Sequence, residues 1–191
     1  MSIRTFATIA ISLIMGVSCT SVADNTLKAD GIGPVRLGAV INSLPKSSEG
    51  LYDRIEPERV EEFDYEGTVY HLVLQGERIV TLIEDNGKIH AIEVYSDKVQ
   101  TADGFGLNKT AVQILSAGGI SYCDNYGFEG LLYKGMLFSG MGLTPSGQKK
   151  AEDAYLDGTD QIFTESDFIT GTHPVKITLT KWYAESAANS K

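Results

Sequence analysis

The dipeptide Asn86-Gly87 restricts the fold of this chain more than any other feature of its sequence. It separates two runs rich in β-branched residues, 79–85 and 88–95. Asn and Gly tolerate the positive φ angles of a type I′ turn, so the two runs are predicted to form a β-hairpin. A two-residue loop also sets the pairing register. The predicted pairs are Asp85 with Lys88, Ile83 with His90, Thr81 with Ile92, and Ile79 with Val94.

Neighbouring segments extend this hairpin into a sheet. Residues 60–64 and 68–75 read as strands, and the links between them are too short for crossover connections, which indicates an antiparallel meander. In the second half, strands are predicted at 131–138 and 175–183 because apolar and polar residues alternate in the latter. Helices are predicted at residues 109–117 and 148–156, and residues 40–51, interrupted by Pro45, are predicted to be helical or irregular. The fold class predicted is α+β, an antiparallel meander sheet with a few short helices.

A short internal similarity suggests that the sheet is built from two halves. Residues 29–33 and 102–106 differ at one position only, and each precedes a helical segment and then strands. We therefore expect one domain over residues 24–184, with helix-then-sheet halves at 29–101 and 102–184. The small, polar tail at 185–191 is predicted to be disordered.

Residues 1–23 have the three-part layout of an export signal. Arg4 gives a positive start, an apolar run of twelve residues occupies 6–17, and small and polar residues continue to Ala23. Twelve apolar residues are too few for a spanning helix, which needs about 20. The pattern predicts an exported protein that works in the periplasm or on a membrane facing it.

Two ways of cleaving this signal fit the residues. Ser21 and Ala23 place small side chains where ordinary signal peptidase reads, which would release a soluble protein starting at Asp24. Residues 16–19 also resemble a lipobox, although Gly16 stands where a larger aliphatic residue is usual. In that case Cys19 would carry a lipid, and this lipid would be the only contact with a membrane.

Charge and cysteine content exclude several classes of protein. The formal net charge is −9, and an acidic body repels phosphate backbones, so nucleic acid is excluded as a partner. Only two cysteines occur, and Cys19 belongs to the signal. Cys123 then has no partner within the chain, which excludes a disulfide framework.

No residue pattern points to catalysis, a metal or a cofactor. His71, His90 and His173 lack the short spacing of metal ligands, and no Gly-x-Ser-x-Gly elbow occurs. Cys123 is followed by Asp124, whose negative charge disfavours a reactive thiolate. We therefore predict no catalytic residue, no metal site and no cofactor.

Two polar segments are the best candidates for an interaction surface. One lies between glycines and carries tyrosines, which offer contact area and a hydroxyl at low entropic cost. The other is a group of aspartates around Gly158, which forms a solvated acidic face. The candidate interaction residues are Tyr122, Asp124, Tyr126, Asp157 and Asp160.

Several motifs together resemble a family of Gram-negative envelope proteins. They are the glycine turns at 31–33 and 104, the Leu51-Tyr52 pair, the strand at 70–74, the hairpin at 80–94, the segment 142–146 (Gly-Leu-Thr-Pro-Ser) and a final strand with Trp182. The family is one of unknown function typified by the enterobacterial sigma-E-regulated lipoprotein. The resemblance implies an α+β fold, an envelope location and a lipid on Cys19. It implies no catalytic residues.

These observations favour a non-catalytic envelope protein that binds a partner through a sheet edge or its glycine-rich loops. The partner would be another envelope protein or a peptidoglycan-type glycan. The alternative is an enzyme or small-ligand-binding protein that acts on envelope glycans or peptides. That alternative predicts a cleft in which two or more acids converge. The acids in question are Glu62, Asp64, Asp124 and Asp157.

Overall fold

The computed structural model of the chain describes residues 25–62, 65–124, 127–157 and 161–189. The predicted export signal, with Cys19, lies outside these residues. Within them, no helix is both long and apolar enough to cross a membrane.

The described chain begins with a small antiparallel sheet. Its three short strands are β1 (Leu27–Lys28), β2 (Gly31–Ile32) and β3 (Val35–Arg36). Their apolar side chains Leu27, Ile32 and Val35 are buried in the main core. The predicted irregular segment at 40–51 follows and contains a single 3₁₀ turn at Ile41–Ser43.

Eight longer strands form one antiparallel sheet, which confirms the predicted α+β meander. Across the sheet they lie in the order β4 (Arg54–Glu62), β5 (Tyr65–Leu74), β6 (Glu77–Asp85), β7 (Lys88–Val94), β11 (Lys176–Thr180), β10 (Met136–Ser139), β9 (Gly127–Tyr133) and β8 (Ile120–Asp124). Strands β4–β7 and β8–β11 are therefore two four-stranded meanders whose last strands pair with each other. The meanders fall within the halves 29–101 and 102–184. Their origin by duplication stays a prediction.

Three helices accompany the sheet. They are α1 (Ala111–Ser116), α2 (Pro145–Asp157) and α3 (Lys181–Asn189). Helix α1 begins with a capping box, in which Thr110 accepts from the Gln113 amide and the Gln113 side chain accepts from the Thr110 amide. It ends at the predicted glycine pair, because Gly118 has a φ of +95°. Helices α1 and α2 agree with the helices predicted at 109–117 and 148–156.

One face of the eight-stranded sheet, the core face, carries the hydrophobic core. A row of directly opposed residues crosses seven strands on this face, and all but Ile55 at the edge are buried. The row is Ile55, Leu72, Val80, Val94, Ile177, Phe138 and Leu131. Because β7, β11 and β10 all contribute to it, the core is continuous between the two meanders.

The opposite face, here called the outer face, changes character along the sheet. Across β4–β7 and β11 it is polar, with Glu56, His71, Thr81, Glu93 and Thr178 in one row. Across β10, β9 and β8 the same row continues as Leu137, Leu132 and Ile120. Helix α3 packs against β9, β10 and β11, which explains why Leu132 and Leu137 are buried outside the main core.

The central hairpin forms as predicted, but its register is correct only next to the turn. Asp85 pairs with Lys88, and Asn86 and Gly87 both have positive φ. A β-bulge at His90 then shifts every later pair, so that Thr81 lies opposite Glu93 rather than Ile92. The bulge places Ile89 on the same face as Ile92 and Val94, so that all three are buried while His90 remains exposed. The turn fixes register locally, and burial of these side chains changes it further along.

Three other boundaries differ from the sequence prediction. The predicted strand 131–138 is a hairpin, because Lys134 and Gly135 have positive φ and turn the chain. The predicted strand 175–183 stops at Thr180, and the chain continues directly as α3. The tail predicted to be disordered from residue 185 belongs to this helix as far as Asn189. The Thr180 hydroxyl accepts from the Tyr183 amide and starts the helix.

Candidate functional site

Two of the five candidate residues lie together at the end of β8. Tyr122 and Asp124 are both on this edge strand of the sheet. Asp157 is the last residue of α2, whose Ala151 and Tyr155 approach Gly127 at the start of β9. Tyr126 and Asp160 lie outside the described residues. The structure thus places the polar loop and the end of α2 in one region.

Trp182 of α3 is the main residue of this region that was not among the predicted interaction residues. Its indole Nε1 donates a 2.7 Å hydrogen bond to the Tyr122 hydroxyl. Tyr122 also meets Tyr183 edge to face, with ring centroids 5.2 Å apart. This contact was not expected, because residues 175–183 were predicted to form a strand throughout. The Ala- and Glu-containing run after Thr180 was the signal for a helix.

The Trp182 side chain is 64% exposed although its position is fixed by Tyr122. Two further apolar side chains nearby face solvent, Ile120 at 49% and Ile162 at 79% exposure. Ile120, Tyr122, Ile162 and Trp182 together are called the Trp182 surface. They line a groove of about 720 Å³. An exposed apolar cluster of this kind is typical of a contact site.

The walls of this groove come from distant parts of the chain. Residues 161–163 run beside β8, because the Ser121 hydroxyl donates to the Gln161 carbonyl (2.9 Å) and accepts from the Phe163 amide (3.2 Å). Cys123 is half-buried in the same wall, with Sγ 3.8 Å from the Gln161 carbonyl. Phe163 continues into the core by stacking on Phe128 at 4.0 Å. The groove is therefore anchored to the rigid part of the fold.

The pKa of one tyrosine beside this groove is shifted by burial. Burial, followed by the negative charges around the ring, raises the pKa of Tyr183 to about 12. Tyr183 therefore presents a neutral ring to Tyr122 at neutral and moderately alkaline pH.

A second cleft, of about 480 Å³, adjoins the groove on the other side of Trp182. Its charged lining is balanced, with Asp85 and Asp124 against Lys88 and Lys181. Trp182, Tyr122 and Tyr183 line it as well. Tyr122 and Trp182 line both depressions and thus stand between them, whereas Tyr183 lines only the second cleft.

The uncovered part of the outer face holds a separate groove of about 780 Å³. At its centre, His71 is buried between two partners. Its Nδ1 lies 3.0 Å from the Thr81 hydroxyl and its Nε2 lies 2.6 Å from Glu58 Oε2. Hydrogen bonding from His71 lowers the pKa of Glu58. On the far wall Glu93 accepts from Lys176 and from the Tyr95 hydroxyl, each at 2.6 Å.

The hydrogen-bonded side chains of Thr81, His71 and Glu58 resemble the nucleophile, base and carboxylate of a catalytic triad, but their surroundings do not suit catalysis. Thr81 lines the groove but is only 6% exposed, so little of its side chain is open to a substrate. Thr81 also lies within a central strand, where backbone amides pair in the sheet and none is left to stabilise an oxyanion. The contact instead fastens edge strand β4 to β5 and β6.

The acid cleft predicted by the enzyme alternative does not form between β4 and β8. Glu62 ends β4 and Asp124 ends β8, and these strands are the two opposite edges of the sheet. Seven strand spacings correspond to roughly 30 Å. Asp64 lies outside the described residues. Among the described residues, no group of three or more His, Cys, Asp or Glu side chains could hold a metal ion.

Neither sheet edge is an open template for a partner strand. Edge strand β4 contains Pro57, which lacks an amide donor, and charged side chains on both faces. Edge strand β8 is bordered by residues 161–163. The Trp182 surface is therefore a better candidate binding site than either edge of the sheet.

Comparison of the chain with models of protein families, with curated proteins and with solved structures found no match.

Proposed function

We propose that this chain is an exported, envelope-facing protein whose α+β domain binds a partner protein through the Trp182 surface and performs no catalysis. The observation that carries the proposal is the exposed indole of Trp182, which the Tyr122 hydroxyl holds in place. Rigid aromatic anchors of this kind dominate the energetics of many interfaces, because they lose little entropy on binding.

The surroundings of Trp182 support a protein partner. Ile120 and Ile162 flank the indole and expose apolar area that a partner would remove from water. Tyr122 adds a second ring whose hydroxyl is already satisfied. An apolar centre with polar groups at its margin is the usual composition of a protein interface.

A photo-crosslinking experiment tests this function. In the full chain expressed with its export signal, a benzophenone amino acid at Ile162 should give a reproducible covalent adduct with one envelope protein. The same probe at Val175, an exposed aliphatic position that does not line the groove, serves as the matched control. Trp182→Ala should reduce the Ile162 adduct by about tenfold or more, as expected for an interface hot spot. Equal adducts at both positions, or none at either, would contradict the proposal.

The envelope location rests on the export signal and on the family resemblance, and we propose that Cys19 carries a lipid tether. Mass spectrometry of the intact mature protein tests this directly. We expect a diacylglycerol-modified N-terminus at Cys19, and loss of that modification in Cys19→Ala. A wild-type chain that already starts at Asp24 would show instead that the protein is released from the membrane.

The alternative function is an enzyme or small-ligand-binding protein acting on envelope glycans or peptides. The observation that favours it is the size of the outer-face groove around His71, with charged groups of both signs on its walls. We place it second because Thr81 is buried and because two of the predicted acids, Glu62 and Asp124, end strands at opposite edges of the sheet.

A further inference from the structure

The lining of the groove beside Trp182 is uneven in chemistry. Its walls are mostly aliphatic or aromatic, and its polar side chains are mostly uncharged. Asp124 is the one charged residue among the described residues that line it. Aliphatic walls need an apolar occupant, while a carboxylate at the margin favours a positive charge next to it.

A second carboxyl group lies near Asp124 on the neighbouring strand. It belongs to Glu129 on β9, whose pKa is raised by burial and then by the charge of Asp124. Lys176 lowers the pKa of Glu129 but is already bound to Glu93. Lys88 and Lys181 lie with Asp124 in the adjoining cleft and do not line the groove itself. The chain as a whole carries −9, so the long-range field has the same sign as the local one.

Aromatic rings stand next to these carboxylates. Trp182 is exposed, and Tyr122 and Tyr183 pack beside it. The faces of indole and phenol rings attract cations, and Trp does so most strongly. An ammonium or guanidinium group entering here would therefore gain from both the rings and the carboxylates.

Building on the proposed function, we infer that the occupant of the groove is a basic segment of the partner protein, with a large aliphatic side chain in the groove and a lysine or arginine beside Asp124. Branched aliphatic walls such as Leu115, Ile120 and Ile162 offer no hydrogen bonds to sugar hydroxyls, which disfavours a glycan. A second copy of this acidic chain would be repelled electrostatically.

The single tryptophan of the chain allows a direct test, because all indole fluorescence comes from Trp182. The full chain is titrated at low salt with two hexapeptides, acetyl-Lys-Lys-Leu-Leu-Lys-Lys-amide and its counterpart with Glu in place of Lys. We expect the fluorescence to saturate at a concentration at least about tenfold lower with the Lys peptide. This preference should shrink as salt is added.

Two variants locate the effect. Asp124→Asn should reduce the preference for the Lys peptide by about threefold or more, since it removes the carboxylate from the margin of the groove. Glu61→Gln removes the same charge from edge strand β4 at the far side of the sheet and should leave the preference nearly unchanged. Equal effects of the two variants would mean that only net charge matters, which overturns the inference.

Other outcomes also overturn it. These are an equal response to both peptides, a response to neither, saturation by an N-acetylglucosamine oligomer instead, or a dimer that Trp182→Ala dissociates. The crosslinking experiment separates this inference from the function on which it rests. A specific adduct at Ile162 without a preference for the Lys peptide would leave the binding function standing and remove only the basic partner. If neither the Ile162 adduct nor the preference for the Lys peptide is observed, both the binding function and the basic partner are contradicted.

Discussion

Phe138→Ala is expected to lower the free energy of unfolding by about 4 kcal/mol, the largest effect of any substitution considered for this protein. Phe138 is fully buried on β10, between Leu131 of β9 and Ile177 of β11. It lies where the core of one meander joins the core of the other, so truncation opens a cavity that two packed strands cannot close. Its ring also lies 6.5 Å from that of Tyr133.

Urea unfolding followed by circular dichroism measures this change, with the midpoint shifting at constant slope. Phe138→Leu keeps most of the volume and should cost about 1 to 1.5 kcal/mol. Tyr155→Ala removes an exposed aromatic side chain from α2 and should change stability by less than about 0.5 kcal/mol. A loss below about 1.5 kcal/mol for Phe138→Ala would show that the two meanders do not share one cooperative core.

Lys150→Met is expected to lower the free energy of unfolding by about 2–3 kcal/mol at neutral pH. The Lys150 ammonium lies 2.6 Å from Asp167 Oδ2, and Asp167 is only 2% exposed. The same carboxylate accepts from the Thr164 amide at 2.8 Å and from its hydroxyl at 3.0 Å. Removing the cation leaves a buried anion with hydrogen bonds but no counter-charge. Lys150 is partly exposed, so water replaces some of the loss, and we expect less than for a fully buried pair.

Lys149→Met is the matched control, one residue earlier in the same helix. Lys149 pairs with Asp153 across an exposed helix surface, so its loss should cost about 0.5 kcal/mol or less. Similar losses for the two variants would contradict a special role for the Lys150–Asp167 pair.

The Lys150 effect should depend on pH. Burial raises the pKa of Asp167, but hydrogen bonds from Lys150 and Thr164 outweigh this and hold the pKa below its usual value. A carboxyl group with a lowered pKa contributes its stabilisation above the unfolded pKa, near 3.9, and loses it as the pH falls further. The difference between wild type and Lys150→Met should therefore shrink below about pH 4. A difference that stays constant down to pH 3 would argue that Lys150 acts through packing alone.

The Lys150–Asp167 pair also matters for the candidate site, because it holds α2 against the segment that forms one wall of the groove. Lys150 donates in addition to the Ile162 carbonyl at 3.2 Å. Ile162 in turn lies on the rim of the groove. Loss of the pair should thus weaken binding at the Trp182 surface as well as folding.

Local signals in the sequence were sufficient for much of the fold. Asn86-Gly87 predicted its turn because few other residues tolerate positive φ at both positions. Thr110 and the glycine pair at 118–119 set the ends of α1 for similar local reasons. The turn at Lys134-Gly135 was not predicted, because Lys rarely adopts positive φ and the apolar residues on either side of the turn resemble one continuous strand.

Only part of the candidate site could be predicted from local signals in the sequence. Tyr122 and Asp124 attracted attention through their own chemistry, whereas Trp182 did not, since it was assigned to a strand. What made Trp182 important is its contact with a residue 60 positions earlier in the chain. A spacing of that size leaves no pattern in one sequence.

The sequence by itself thus determined the class of the fold, the central turn and the acidic, nearly cysteine-free character of the domain, because turn conformation, alternation and charge depend on near neighbours. Only the tertiary structure decided the strand order, the bulge at His90 and the return of α3 over the outer face. These depend on which distant side chains are buried together. Pairing β7 with β11 joins the two meanders, and it leaves Trp182 exposed at the far edge, where the proposed partner would bind.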